Sequence, residues 1–413
     1  MSKIYGLLGE KLSHSLSVPI HKALGNDRYK LYELKESELE AFLRRADLGG
    51  VNVTIPYKQA VMPFLDEISE EAKEIGAVNT IVNRNGRLFG YNTDKEGFMA
   101  MVESLGVSFS GKKVVVFGRG GASKTAVYCS RLLGACEVAV IGSKDNTPET
   151  VAKHRDAKII VNATPVGMKP NYLKSAVDLD DFPLCEGVID MIYNPLRTKL
   201  IMDAEKRGIM TVGGLIMLTS QAKKAHEYFF DTIADGEFAK KCACDLWKSN
   251  ENIALIGMPG SGKTTVGKIL AQLSGREYIE IDEEIVKASG KPIPEIFKES
   301  GEEGFRALES KITLEASTKN GIIIITGGGV VTRAQNYYPL HQNSRIYEIT
   351  RDLDKLATDG RPLSVGGLDA LYSMYEKRKP MYEAFRDVTV ENGNDAYDTA
   401  KAVWEDFCEN TCY

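Results

Sequence analysis

Gly257-Met258-Pro259-Gly260-Ser261-Gly262-Lys263-Thr264 satisfies the pattern GxxxxGK(S/T) at every fixed position and directly follows an apolar run, Ile253 to Ile256. With a helix-forming stretch behind it, Thr265 to Leu273, the segment reads as strand, phosphate-cradling loop and helix. Glycines let successive backbone N–H groups turn onto phosphate oxygens, Lys263 reaches the outer phosphates, and Thr264 offers its hydroxyl to Mg²⁺. Gly260, Gly262 and Thr265 complete the nucleotide set, so ATP or a similar triphosphate is the expected ligand. The loop begins only at residue 257, and a segment of domain size precedes it.

The chain has 413 residues, which at about 150 residues per domain gives two or three domains. Apolar content of 43% and charge of 26% are those of a soluble globular protein. A net charge of −5 gives no reason to expect nucleic acid or an anionic membrane as partner. No apolar stretch approaches the roughly 18 residues of a membrane span, and Met1 to Glu10 is short and mixed for a signal peptide. The expected address is the cytoplasm. Seven cysteines, an odd number, read as reduced thiols, and the spacing of Cys242 and Cys244 speaks against zinc.

Strand-like and helix-like segments alternate almost throughout, the signature of parallel α/β sheets. The polar stretch Lys248-Ser249-Asn250-Glu251-Asn252 is the expected linker (248–252), and a further boundary is expected near residue 105. In the first half, Val114 to Phe117 leads into Gly118-Arg119-Gly120-Gly121-Ala122, then a helical stretch from Ser123 to Leu133 and a strand from Glu137 to Ile141. That is a dinucleotide-binding unit with the pyrophosphate at the helix N-terminus. NAD sites place an acidic residue at the end of the second strand; here stand Gly142-Ser143-Lys144, with Asp145 only later. A hydroxyl and a cation suit a 2′-phosphate better, which favours NADP.

Three polar groups of residues lie upstream: His14-Ser15-Leu16-Ser17, Asn52-Val53-Thr54-Ile55-Pro56-Tyr57-Lys58 and Asn92-Thr93-Asp94. Taken singly they read as caps, turns and solvated charge. Further on stand Ala77-Val78-Asn79-Thr80, Asn162-Ala163-Thr164-Pro165-Val166-Gly167-Met168, Asp190-Met191-Ile192-Tyr193-Asn194-Pro195, and Gly213-Gly214-Leu215 with Gln221. In order and spacing the whole series resembles the shikimate dehydrogenase family over nearly all of residues 1 to 247. The resemblance implies a substrate domain (1–105), completed by a helix within 215–247, and a Rossmann-like NADP-binding domain (106–247). It implies reduction of 3-dehydroshikimate, with Lys58 giving the nascent alkoxide its proton beside Asp94. Ser15, Ser17, Thr54, Asn79, Asp94, Tyr193 and Gln221 then fall at the substrate. Gly118, Gly120, Gly121, Ala122, Ser143, Lys144, Thr164, Met168 and Gly214 fall at the cofactor.

Four departures stand out. Val18 occupies the place of a usual proline, Lys95 follows Asp94 in place of glycine, Arg119 replaces a small residue in the glycine turn, and Gly142-Ser143 replaces Asn-Arg.

Beyond the phosphate loop, Glu280-Ile281-Asp282 ends an expected second strand and Gly301-Glu302-Glu303-Gly304-Phe305-Arg306 opens a helix. Ile322 to Ile325 leads into Thr326-Gly327-Gly328-Gly329, followed by Arg361-Pro362-Leu363 and Tyr375-Glu376-Lys377-Arg378-Lys379-Pro380-Met381-Tyr382. This series resembles the shikimate kinase family over residues 252 to 413. It implies a P-loop, nucleoside-monophosphate-kinase-like parallel α/β domain (253–413) using ATP and Mg²⁺. By that resemblance Asp282 orients the acceptor hydroxyl, Arg306 and Arg378 clamp the carboxylate, and Gly327, Gly328 and Gly329 admit the ring. Lys263 and Arg361, the latter from a lid, neutralise the transferring phosphoryl group, while Thr264 and Glu280 serve the metal. Glu280 stands where aspartate is usual. The plain alternatives are a surface pair for Glu302 and Arg306 and a solvated face for Lys377-Arg378-Lys379.

The two halves converge on one small molecule, since the product of the first is the substrate of the second. The expectation is a bifunctional enzyme of chorismate and aromatic amino-acid precursor synthesis, with small-molecule substrates and an oligomeric state left open. Alternatives are a quinate-accepting or NAD-preferring first half, a nucleotide-dependent switch, or one half serving only as a scaffold.

Overall fold

The computed structural model describes residues 3–12, 15–168, 170–356, 367–393 and 395–410. The chain forms two compact units, Met1–Asn194 with Thr198–Ala243, and Pro195–Arg197 with Cys244–Tyr413.

The first unit carries two sheets. One holds β1 (Ile4–Gly9), β2 (Tyr29–Glu33), β3 (Leu48–Val53), β4 (Glu67–Ile68), β5 (Thr80–Arg84) and β6 (Arg87–Tyr91), in the order β2-β1-β3-β5-β6-β4. It is mixed and not parallel throughout, because β5 runs antiparallel to both β3 and β6. The reversal is local chemistry: Asn85 (φ 55°) and Gly86 (φ 88°) make the tight turn between β5 and β6, a dipeptide suited to left-handed backbone. The helix Leu215–Phe230 returns to this sheet, where Ala225 and Phe229 pack with Leu7, Leu12, Tyr29 and Val82. Tyr228 stacks on Tyr91 with ring centroids 4.1 Å apart. A late helix therefore completes the early sheet.

The second sheet is parallel, with β7 (Lys113–Phe117), β8 (Glu137–Ile141), β9 (Ile159–Asn162), β10 (Gly187–Asp190) and β11 (Met210–Val212) in the order β11-β10-β9-β7-β8. The order reverses between β7 and β9, and the crevice beyond their carboxyl ends is the usual ligand position of such sheets. Val114–Phe117 of β7 and all of β9 are buried, as in strands covered on both faces.

The second unit has one parallel sheet of β12 (Asn252–Ile256), β13 (Tyr278–Glu280), β14 (Ile323–Ile325), β15 (Ser344–Thr350) and β16 (Val388–Glu391), ordered β13-β14-β12-β15-β16. The phosphate loop leaves the central strand, β12, and the helix Lys263–Ser274 follows it.

Three sequence expectations are corrected. Residues 248–252 are no irregular linker: the helix Phe238–Asn250 runs through Lys248, Ser249 and Asn250, Asn252 opens β12, and Glu251 alone lies between, its N–H on Trp247 O at 2.8 Å. Polarity marks no break in structure there: Glu251 and Asn252 are buried, and Asn252 Nδ2 donates to Lys319 O at 2.8 Å. Asp282 lies not at a strand end but in the first turn of the helix Ile281–Ser289, where a carboxylate meets the helix dipole favourably. Cys244 is disulfide-bonded, while Cys129, Cys136, Cys185, Cys242 and Cys408 carry no disulfide. Sequence spacing of thiols says nothing of which ones the fold brings together. Among the described residues, no helix is long and apolar enough to cross a membrane.

Candidate active sites

In the first unit the polypeptide leaving β3 passes through the cis peptide Ile55-Pro56 and is anchored by Tyr57, whose buried ring sends its hydroxyl to Leu34 O at 2.7 Å. The next side chain, Lys58, turns inward, and its Nζ donates to Asp94 Oδ2 at 2.5 Å. Asp94 opens the helix Asp94–Leu105, which fixes its position beside Lys58. Asn79 Nδ2 donates to Asp94 Oδ1 at 2.9 Å and to Gln221 Oε1 at 3.2 Å. The Thr93 N–H donates to Asn79 Oδ1 at 2.7 Å, which fixes the amide's orientation. Lys58, Asp94, Asn79 and Gln221 thus form one cluster drawn from a loop, a helix end, a strand edge and a distant helix.

The cluster continues as a polar chain. Thr80 Oγ1 donates to Asn79 Oδ1 at 3.1 Å, Asn52 Nδ2 donates to Thr80 Oγ1 at 3.0 Å, and Tyr29 donates to Asn52 Oδ1 at 2.8 Å. Ser17 meets Tyr29, and Ser15 donates to Ser17 at 3.0 Å. Thr54 is half-buried beyond β1 and β3, with its N–H on Leu8 O at 2.9 Å. His14 lies outside the described residues. Lys95 does not turn to Asp94; it pairs with Glu71.

On the cofactor side the helix Gly121–Leu132 starts at Gly120, and Ser123 donates to Gly118 O at 2.7 Å. A Cβ on Gly121 would lie 3.2 Å from Lys58 Cδ, so the helix start abuts the lysine stem. Asp190, fully buried, accepts from Asn162 Nδ2 at 3.0 Å, the Ile192 N–H at 3.1 Å and Thr198 at 2.6 Å, and burial pushes its carboxyl up to about 7. Asn162 in turn holds Thr164, whose hydroxyl donates to it at 2.7 Å. This brace joins the loops carrying Thr164, Met168 and Tyr193; Gly214, whose N–H donates to Ile192 O at 2.9 Å, ties in the start of the helix Leu215–Phe230. Burial raises the Tyr193 phenol above its ordinary value. Ser143 and Lys144 are exposed beyond β8, while Arg119 pairs with Asp145 at 2.6 Å.

In the second unit Lys263 Nζ donates to Gly257 O and Met258 O, both at 2.9 Å, closing the phosphate loop on itself. Asn392, following β16, braces it by donating to Ser261 O at 2.7 Å. Thr264 Oγ1 donates to Glu280 Oε1 at 2.5 Å, so the glutamate reaches the hydroxyl beside the phosphate loop. These are hard oxygen donors beside the phosphate loop, and their chemistry fits Mg²⁺. A cavity of 480 Å³ runs from the loop past Gly260, Gly262, Thr264, Thr265, Glu280 and Asp282 to Arg306, Glu309, Arg378 and Gly327 to Gly329.

Arg306 is buried, so the surface-pair alternative fails: its contact with Glu302 is 3.4 Å, against 2.8 Å to the fully buried Glu309. The helix kinks at Gly301 (φ 66°), which aims the segment carrying Arg306 at the cavity. A Cβ on Gly329 would lie 2.1 Å from Arg306 Cζ, so only glycine admits the guanidinium against that backbone. Arg378 is buried while Lys377 and Lys379 are exposed, and its Nη1 donates to Gly328 O at 3.1 Å, beside the Tyr382 hydroxyl on the same oxygen at 2.5 Å. A Cβ on Gly327 would stand 3.0 Å from Asp282 Oδ1 and 2.7 Å from Glu309 Oε1, which puts both carboxyls at one wall. Burial pushes the Glu309 carboxyl up, opposed by Arg306. Sequence reasoning missed Glu309, Arg351, and the apolar side chains Ile293, Phe297 and Phe305 that line this cavity. Only Glu309 had a signal, three residues after Arg306 on a helix. Arg361 lies outside the described residues.

Comparison with known proteins puts these clefts in context. Residues 7–81 match the family model described as shikimate dehydrogenase substrate binding domain. A shikimate dehydrogenase (NADP(+)) of Symbiobacterium thermophilum is 36% identical over 292 aligned residues, covering 62% of this chain and 96% of that relative. The chain belongs to the shikimate dehydrogenase family. Among solved members, shikimate dehydrogenase 1 of Peptoclostridium difficile is 38% identical with a TM-score of 0.54, covering 59% of this chain and 97% of its own. Shikimate 5-dehydrogenase of Thermus thermophilus, solved with NADP(H) and shikimate, is 31% identical with a TM-score of 0.53, covering 59% of this chain and 98% of its own. Residues 259–408 match the shikimate kinase family model, so a kinase domain is fused behind the dehydrogenase.

Proposed function

We propose that this chain reduces 3-dehydroshikimate to shikimate with NADPH in its first unit and phosphorylates shikimate at the 3-hydroxyl with ATP in its second. In the first reaction the cofactor supplies a hydride to the ketone carbon. Lys58 gives the developing alkoxide its proton, held by Asp94, while Asn79 and Gln221 accompany the ring hydroxyls. Ser15, Ser17 and Thr54 take the substrate carboxylate with Tyr193 also on the substrate side, and Thr164, Met168 and Gly214 flank the nicotinamide. The observation that carries this half is the Lys58–Asp94 contact of 2.5 Å seated against the cofactor helix at Gly121.

In the second reaction the 3-hydroxyl attacks the γ-phosphorus and ADP leaves. Asp282 orients that hydroxyl and accepts its proton; Arg306 and Arg378 hold the carboxylate by their guanidinium forks. Lys263 leaves the loop carbonyls for the phosphates, and Thr264 and Glu280 hold Mg²⁺. Arg361 carries its lid role by family resemblance alone. We place both reactions in the cytoplasm, with small molecules as the only partners the sites call for.

The test assays each half on the full chain: NADPH consumption with 3-dehydroshikimate alone, and ADP release with shikimate and Mg-ATP alone. Turnover in both supports the proposal; ADP release that does not depend on shikimate contradicts the kinase half.

A further inference from the structure

Two departures from the family pattern, an arginine in the glycine turn and a glycine after the second strand, meet in space. β7 and β8 are parallel neighbours with Phe117 opposite Ile141, so the turns that follow them lie side by side. A Cβ on Gly142 would stand 2.7 Å from Arg119 Nε and 2.9 Å from its Cδ. The stem of Arg119 therefore lies where a side chain at position 142 would be. The side chain is 66% exposed, and its Nη2 is 2.6 Å from Asp145 Oδ2. Asp145 is itself fixed by a turn, with its N–H on Gly142 O at 3.0 Å.

We infer that Arg119, reaching across Gly142, is the residue that selects NADPH by binding the 2′-phosphate, with Asp145 positioning its guanidinium. This rests on the dehydrogenase reading above. The end of the second strand of a dinucleotide-binding unit is where the adenosine ribose 2′-position lies. One carboxylate oxygen occupies part of a guanidinium with five donors, which leaves the outer edge for a second anion. Alone, Asp145 would repel a phosphate and accept a hydrogen bond from a ribose 2′-hydroxyl. The Arg119–Asp145 pair is therefore a selector whose balance the arginine tips toward NADPH. Lys144, exposed, adds unspecific positive potential.

The test uses the full-length protein and its Arg119→Ala and Asp145→Asn variants, with NADP⁺ and NAD⁺ binding measured by calorimetry and turnover with NADPH and NADH measured beside it. Loss of a charged fork to phosphate predicts NADP⁺ affinity and NADPH kcat/KM about 10–100-fold lower in Arg119→Ala, with NAD⁺ affinity within about 3-fold. Asp145→Asn shifts the ratio the other way, further toward NADP⁺. Gly142→Val, which displaces the stem and leaves every charge in place, reproduces the Arg119→Ala pattern. An unchanged NADP⁺-to-NAD⁺ ratio in Arg119→Ala overturns the inference while leaving the dehydrogenase reading intact. A parent protein that binds neither nucleotide and reduces no 3-dehydroshikimate overturns that reading itself. NAD⁺ affinity retained within about 3-fold reports that the first unit of the Arg119→Ala and Gly142→Val variants is folded, and shikimate phosphorylation, in the other unit, stays at the parent rate in all three variants.

Discussion

The Arg306–Glu309 pair gives the sharpest stability prediction. Arg306 has a side chain 5% exposed and Glu309 one that is 0% exposed, joined at 2.8 Å on the same helix. Glu309→Ala strands the guanidinium, since the remaining carboxylate, Glu302, is 3.4 Å away and half exposed. Breaking a buried ion pair on one side costs about 3–5 kcal/mol. We take about 3 kcal/mol, the lower end, because Glu302 compensates in part and burial of the Glu309 carboxyl is itself unfavourable. With an m-value of about 2 kcal/mol/M in urea, the unfolding midpoint drops by about 1.5 M. The readout is selective: both of the chain's tryptophans, Trp247 and Trp404, lie in the kinase unit, so tryptophan fluorescence follows that unit. Dehydrogenase turnover of the same sample should be unchanged, and shikimate kcat/KM should fall because Arg306 loses its fixed orientation. A midpoint shift under about 0.3 M, well below any one-sided break of a buried pair, would refute the reasoning.

Lys58→Ala should remove most reduction, about 100-fold or more as expected for a lost proton donor, and leave phosphorylation intact; Lys263→Ala should do the reverse, both read in the separate assays. Glu280→Gln should raise the Mg²⁺ concentration for half-maximal phosphorylation about 10-fold without changing the shikimate KM, read in a metal titration. His21 stacks on Tyr29 at 3.8 Å, and burial lowers its imidazole to about 3. A depressed folded value means stability present above the ordinary value near 6.5 and lost as pH falls toward 3. From pH 7 to pH 5 the loss is about 2 kcal/mol, which should show in the urea midpoint of dehydrogenase activity and vanish in His21→Phe.

The strand-loop-helix around Gly257 to Thr264 and the strand-turn-helix at Gly118 were legible because each motif needs its neighbours, and β8 was read to the residue. The mixed first sheet was missed although Asn85-Gly86 announces the turn; only alternation of elements was weighed there. The five polar residues 248–252 looked like a linker because composition does not distinguish solvated polar residues from buried, hydrogen-bonded ones such as Asn252. Candidate residues on local motifs, such as Lys58, Asn79 and Thr264, could be proposed from sequence, and the structure places them in the candidate clefts. Glu309 could not, because its importance is its burial against Arg306. Neither could the Arg119–Gly142 contact, which depends on the register of two strands and has no trace in either segment alone.

The most direct measurement gives the pure protein 3-dehydroshikimate, NADPH and Mg-ATP together and identifies the product by mass. The account predicts shikimate 3-phosphate, with NADP⁺ and ADP formed in equal amounts. Shikimate accumulating without phosphate, or no reduced product at all, would contradict it.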